Sequence, residues 1–559
     1  MAAFVAAQLG DDAALPFHLV EIEVYRPGVA TVGFQGAVIA APWLALAQTA
    51  DAVETTERVR AADRGYRQRH DDFGGVLAWP ATLVEGGPRL ERRLNPAPWH
   101  SPVAAGWGEV ALVDVDRRYD QLAAATSADG RRVRILEGRK AWDAQRGVWV
   151  DPPLADLREL ATAVGAGRFQ RRDTVVALQL RDAGWYLERP AQAATYGGGG
   201  GLDGTAELAG VARPKSRGGT TAAPIRNVTP TLVDPAHRIY QYNDGPGRII
   251  ALYERGAATI TFQGDAADLY AGSTASGQYR TDDARGLFQL GATPVGLITC
   301  DVVGHFPVAG HKTVAADIAR WLITEDIGVP AEWVETGGFA SLAVTMPYVS
   351  GLHLAAGADA VDAVGVVLAG INARLIATAT GQLTAIRLRP PGTVQIRRSY
   401  GRAEIVDVTP RALPDGMDPP PWRLSLGHAR NHTVQTSDLN ATVTAARRQD
   451  LALDQRLARW SDVANQVAWR RAGDLGPVPT ALLVQADAEA VVAEIGAVIG
   501  ARRQLLDLTL PVAFATAQDL GDEVAVTWPG MGLELGRPAV VVGVAIEVGR
   551  EVFVLTVLI

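Results

Sequence analysis

The sequence predicts a mainly β, multidomain chain with an α+β insert, and three observations carry that prediction. Short runs of alternating apolar and polar residues fill much of the chain, the pattern of half-buried strands. Turn-forming clusters of Asn, Asp, Gly and Pro recur at short spacing between these runs, as small barrels and sandwiches require. Apolar residues at the helical spacing of three and four become clear only after residue 311. At 559 residues the chain is too long for one ordinary core.

Taken in order, residues 15–45 alternate as strands (LPFHLVEIEVY, then ATVGFQGAVIA), while 46–70 are polar and charged and read as a helical or extended exposed arm. Strands are expected at Glu109–Val115, at 131–138 after a Ser-Ala-Asp-Gly turn, and at 174–182. Five successive glycines at 197–201 cannot hold regular structure cheaply. The stretch 191–222 is therefore expected to be a linker, with 195–222 the region most sensitive to proteases. From 225 to 304 the strand pattern resumes, with turns at Asn243-Asp244-Gly245-Pro246 and Gly264-Asp265.

Thr313 is placed to cap a helix bearing Val314, Ile318, Trp321 and Leu322. A second helix bears Val361, Val364, Leu368 and Ile371, followed by the turn Thr380-Gly381-Gln382 and a strand. Residues 441–471 predict a long amphipathic helix (Leu453, Leu457, Trp460, Val463, Val467), and 485–503 another (Val491, Ile495, Val498, Arg502). Three strands after Gly521-Asp522 predict a closing barrel. The division is a β-rich domain at 1–190, the Gly-rich linker at 191–222 and a second β-rich domain at 223–310. An α+β insert at 311–400, a mixed strand and long-helix region at 401–510, and a small β-barrel at 511–559 complete it.

Composition excludes several classes. No run of about 18 charge-free apolar residues exists, so no membrane span is expected. The N-terminal residues carry no basic region and run into Asp11 and Asp12, which predicts no signal peptide and a chain that stays in the cytoplasm until assembly. Cys300 is the one cysteine, which excludes an intrachain disulfide or a Cys-built zinc or iron–sulfur site. A net charge of −8 opposes stable nucleic-acid binding. Only Lys140, Lys215 and Lys312 are lysines among 53 basic residues.

The motifs of serine hydrolases, zincins and P-loops are absent. Gly199, Gly201 and Gly204 satisfy G-x-G-x-x-G only by composition, with no strand before them. Cys300, His305 and His311 offer a soft ligand and two imidazoles, but Cys300 sits in an apolar strand-like run. His428 and His432 read as polar surface. Asp114/Asp116 and Asp282/Asp283 are paired carboxylates of the kind glycosidases or calcium sites use; for the first pair a solvated ion-paired face beside Arg117 and Arg118 is the plainer reading. Tyr240, Tyr242, Trp185 and Tyr186 suit either a sugar-binding surface or buried strands. The expectation is no catalytic, cofactor-binding or metal site, no cofactor and no enzyme.

Three longer motifs stand in order: RNVTPTLV at Arg226–Val233, YQYNDGP at Tyr240–Pro246, and GLFQLGATPVGLITCDV at Gly286–Val302. Together they resemble a tail protein family of phages and prophages of proteobacteria, with Gln289 where that family tends to show Arg. Upstream, AGWGEVALVDVDRRYDQL with DGRRVRILEG resembles a further family segment, departing at Asp114 and Arg117. Downstream, RLSLGHARNHTVQTSDL resembles another, with His428 in place of Tyr, and GDEVAVTWPGMGLELGRPAVVV resembles its terminal barrel. The resemblance covers most of 103–559. It implies a structural virion protein, a baseplate or tail-tip hub subunit built of the small barrel and sandwich modules typical of hubs, with 1–190 as the N-terminal hub domain. Such a subunit joins the tail tube to distal tip proteins around the DNA-ejection channel. Implied partners are further copies of itself as a trimer, other tail-tip or baseplate proteins, the tail tube or distal tail protein, and the tape-measure protein. The implied location is the virion. The rival expectation is a tail-tip receptor- or glycan-binding protein, or a cell-wall-degrading tip enzyme.

Overall fold

The alternation in LPFHLVEIEVYR closes into the strand Leu15–Arg26, which buries Phe17, Leu19, Val20, Ile22 and Val24. In this computed structural model the described residues are 15–26, 32–34, 37–39, 55–68, 77–84, 88–97, 104–306, 310–355, 357–511, 518–547 and 552–559. The molecule is mainly β, with several sheets curled as half-barrels and helices concentrated after residue 311.

Leu15–Arg26 belongs to an antiparallel sheet in the order Thr55–Ala62, Leu15–Arg26, Arg132–Asp143, Arg158–Arg172, Val175–Arg181, Glu109–Val113, with Val148–Val150 paired to Arg132–Asp143. The exposed arm expected at 46–70 is, in its described part, mostly the strand Thr55–Ala62. Its charges belong to the sheet: Arg60 lies opposite Glu21 in register and its Nε is 2.9 Å from Glu21 Oε2. Such cross-strand ion pairs resemble a solvated face when read along one strand alone. Residues 46–54, 69 and 70 lie outside the described residues.

The expected linker is corrected. Lys215–Gly218 is a buried strand, paired with Gly351–Leu354 and, through Gly218, with Ile298–Gly304. The five glycines form a folded loop rather than a tether. The amides of Gly197 and Gly199 donate to Asp203, at 3.0 and 3.3 Å, and Tyr196 is buried with its hydroxyl 2.6 Å from Gln241 Oε1. Gly198, Gly200 and Gly201 take positive φ, so the run supplies a backbone path that other residues resist.

The middle segment forms two sheets. One orders Ile225–Val228, Ile298–Gly304, Lys215–Gly218 and Gly351–Leu354, with Gly247–Glu254 also on Ile298–Gly304; the other orders Thr231–Asp234, Ile239–Gln241, Leu287–Leu290, Gln278–Asp282 and Thr261–Asp265. Tyr242, Phe288, Leu252, Cys300 and Val302 make its own core.

The helices Ala315–Trp321 and Ala360–Ala369 appear where the apolar spacing placed them, joined by Thr336–Thr345 and followed by the hairpin Ala373–Ala377/Leu383–Arg387. Val314, not Thr313, holds the cap position of the first; the Thr313 carbonyl instead accepts the Ser350 amide at 2.8 Å. The long helix expected at 441–471 is replaced by a short helix Ala445–Leu451, a strand Arg456–Ser461 and a short helix Val463–Ala468. The strand wins because Arg423–His428 offers a six-residue antiparallel register, Arg423↔Ser461 to His428↔Arg456. Asp462 then accepts the Ala464 amide at 2.9 Å and starts a new helix. Trp460 packs over Gly496 and Gly500 at the end of Gln485–Ile499, where a Cβ would collide with its ring.

The three closing strands are present as Glu523–Val526, Arg537–Glu547 and Val552–Leu558. Their sheet also recruits Arg398–Tyr400, Asp407–Arg411, Leu505–Pro511, Arg89–Arg93 and Ala104–Gly106, so it is not confined to 511–559. One continuous apolar core joins the first sheet, the helices and this last sheet.

Candidate functional site

The quoted motifs converge on one junction. Asn243 opens the NDGP turn and is fully buried. Its side-chain oxygen accepts the Ser216 amide at 2.7 Å, and its amide nitrogen donates to the carbonyls of Gly245 and Pro246 at 3.2 and 2.7 Å. The Gly286 carbonyl, from the third motif, accepts the amides of Tyr242 and Asn243 at 3.0 and 3.3 Å. Gly286 has φ +64°, and a Cβ there would strike the Asn243 carbonyl. From the first motif, the Asn227 amide donates to Asp301 at 2.8 Å, and Asp301 accepts the Tyr253 hydroxyl at 2.8 Å. Arg447 closes the group by donating to Asn227 at 2.9 Å, its guanidinium 4.5 Å from the Tyr253 ring centre. Arg226 and Arg456 meet on Asp450. Burial opposes the charge on Asp450, yet the bonds from Arg456 and the fields of Arg226 and Arg447 hold its carboxyl below the usual range.

Beneath this junction lies a buried triad that sequence reasoning missed. Asp326 receives Lys215 Nζ at 2.9 Å and Arg217 through Nε at 3.0 Å and Nη2 at 2.7 Å. All three side chains are under one-tenth exposed. The one signal was the scarcity of lysine, which made Lys215 conspicuous; Asp326 is too remote in sequence to be paired with it. Also missed was the contact of Ser216 Oγ with His353 Nδ1 at 2.9 Å. Ser216 is fully buried, and burial with Arg430 nearby pushes His353 down to about 4. A serine that substrate cannot reach acts as a hydrogen-bond partner, not as a nucleophile.

The candidates named from sequence fall as follows. Gly199, Gly201 and Gly204 lie in the loop closed on Asp203. Cys300 is fully buried, its sulfur 3.6 Å from the Val228 carbonyl, and burial pushes its thiol up. His311 faces the carbonyls of His305 and Gly219 at 3.2 and 3.0 Å, and the His305 ring lies 4.6 Å from that of Trp321. No group of three metal-ligating side chains occurs among the described residues. His428 and His432, expected at the surface, are buried and half-buried, because strand Arg423–His428 runs inside. His432 instead meets His353, rings 5.1 Å apart.

The Asp114/Asp116 pair is divided. Asp114 is fully buried, accepting the Tyr119 amide at 2.9 Å and Arg171 at 2.7 Å, while Asp116 is exposed beside Arg118. Asp282 accepts Arg285, whereas the Asp283 carboxylate meets Arg248 at 3.4 Å and its backbone amide donates to Asp265 at 3.0 Å. Tyr240 stacks on Phe288 at 5.1 Å inside the core, and Tyr186 is buried with its hydroxyl 2.7 Å from the Gly130 carbonyl. Trp185 packs edge-on against Tyr186 at 5.0 Å. These rings bury rather than form an open sugar platform.

No protein-family model matches the chain, and no curated protein matches it. Among solved structures it is similar to the 43 kDa tail protein of prophage MuSo2 from Shewanella oneidensis, at 8% identity over 88% of this chain and 97% of that one, TM-score 0.33. It is similar to the tail protein from Neisseria meningitidis MC58 at 10% identity over 89% and 96%, TM-score 0.32. A chain of the virion of a native gene transfer agent particle matches at 13% identity over 62% and 74%, TM-score 0.30.

Proposed function

We propose that the chain is a structural subunit of the tail tip of a long-tailed phage or derived gene-transfer particle, of the hub type. In this reading it joins the tail tube to distal tip proteins and surrounds the DNA path as an oligomer, a trimer by resemblance. The observation that carries the reading is the junction of motifs. Residues quoted for the family resemblance from three separate stretches bond to one another through Asn243, Gly286 and Asp301. They hold a turn and two sheets in register and leave no nucleophile or free base at that point. A net charge of −8 suits a conduit past which DNA slides, because binding strength follows the number of phosphates neutralised.

Gold-labelled antibody against the chain, viewed on purified particles, is expected at one end of the tail. Label on the capsid, or absence of the chain from particles, would overturn the proposal.

A second reading, a glycan-binding or glycan-cleaving tip protein, is favoured by one cleft. It has a volume near 680 Å³ and is lined by Pro246, Arg248, Phe262, Asp265, Thr281 and Asp283. Phe262 is exposed, and burial together with Asp265 pushes the Asp283 carboxyl up, features that ring-stacking and acid catalysis use. Clearing of a peptidoglycan zymogram that is lost in Asp283→Asn would favour it over the structural reading.

A further inference from the structure

A buried cation, with no carboxylate partner among the described residues, sits beside a small, mostly apolar cavity. The cavity, about 140 Å³, lies between the turn Ala183–Leu187, the helix Ala360–Ala369 and the strand Ala373–Ala377. Leu187, Val361, Leu368, Ile376 and Leu383 supply its apolar walls, and Arg374 lines it from the strand. Arg374 is only 6% exposed. Its guanidinium donates to the carbonyls of Ala373 and Ala97 at 3.0 and 2.7 Å, and its Nε has no partner among the described residues. Burial alone, with no acidic group contributing, draws it down to about 10.

A guanidinium out of water is costly unless an anion and further hydrogen bonds compensate it. The turn does bring two acids to the same cavity, Asp182 and Glu188. Asp182, however, accepts the Gly184 amide at 2.9 Å and Glu188 pairs with Arg181 at 2.6 Å, so neither is the missing counter-ion. The space is close to the roughly 150 Å³ apolar cavity that accommodates benzene.

We propose that this cavity is a binding site for a small organic monoanion with an apolar body, of about the size of benzoate, whose carboxylate pairs with Arg374. The apolar body lies against Leu187, Val361 and Leu368. This site is independent of the tail-tip reading.

The test uses the full chain, with sodium benzoate as probe and benzyl alcohol as its neutral counterpart, followed by calorimetry and ligand-detected NMR. Benzoate is expected to bind saturably and at least about tenfold more tightly than benzyl alcohol, a preference assigned to the ion pair. Arg374→Met keeps the volume and removes the charge, so it should abolish the preference for benzoate. Gly365→Leu, which fills the cavity from the helix, should abolish binding of both probes. Equal affinity of the two probes, undiminished benzoate binding in Arg374→Met, or undiminished binding in Gly365→Leu would each overturn the proposal. Should either variant fail to fold, the comparison of the two probes on the unaltered chain still decides.

Discussion

Asn243 and Trp142 occupy places that alternation alone would have exchanged. The amide is fully buried, whereas the indole is 46% exposed. Asn243 is inside because each of its polar atoms finds a backbone partner fixed by a turn or a neighbouring strand, and a satisfied polar group costs little to bury. Trp142 is outside because its hairpin runs past the sheet: Val148–Val150 pairs only with the last residues of Arg132–Asp143. There Trp142 and Trp149 pack on each other, 5.3 Å apart, with Val148 and Val150 also exposed. Burial of Asn243 in the centre of the molecule therefore rests on the satisfaction of its polar atoms. At the tip, apolar area remains uncovered, and such patches mark contact surfaces.

The sharpest way to break this comparison is through the buried triad. Asp326→Ala leaves Lys215 and Arg217 buried without their anion and is expected to destabilise the chain by about 3–5 kcal/mol, read by urea unfolding. A loss below about 1 kcal/mol would show that pairing of the buried triad contributes little to stability. Asn243→Ala comes next, at about 1–3 kcal/mol for the orphaned Ser216 amide and its neighbours, measured in the same way.

An effect of opposite sign is expected from Asp182→Asn. Burial raises the Asp182 carboxyl from 3.8 to about 6 in the folded chain. Folding therefore favours its protonated form, and the stability this contributes is complete below about 3.8 and lost as pH rises through about 6. Asn removes the ionisation, so thermal stability should rise at pH 7.5 and stay level with the unaltered chain near pH 4. A gain that is equal at both pH values would refute the assignment. At the tip, Trp142→Ser with Trp149→Ser should shift unfolding by no more than about 0.5 kcal/mol; a cost like that of Asn243→Ala would erase the distinction between the two regions. Smallest of all is the expected cleavage by trypsin at Lys215 and Arg217. Both lie in a buried strand, so the native chain should be cut first at exposed sites such as Arg146, Arg470 or Arg471.

Much of the secondary structure was legible because it is decided locally. Leu15–Arg26, Val175–Arg181, Ala360–Ala369 and the closing strands all follow from side-chain period, which each segment carries by itself. The NDGP turn was legible for the same reason, since Asn, Asp and Gly tolerate its backbone. Of the junction, the sequence showed the motifs in order but not that Asn243 would reach Ser216 or that Gly286 would serve two amides.

Other features were decided only by tertiary structure. The glycine run read as a tether because glycine costs entropy to order, a cost offset here by Asp203 accepting from Gly197 and Gly199. Residues 441–471 carry a helical period, yet Arg423–His428 provides a ladder that Arg456–Ser461 completes, and backbone pairing across strands outweighs a weak local preference. The Lys215–Arg217–Asp326 triad and the burial of Arg374 are likewise invisible in sequence. Burial of a charge depends on which distant segments close over it, whereas the period of apolar residues depends only on neighbours along the chain.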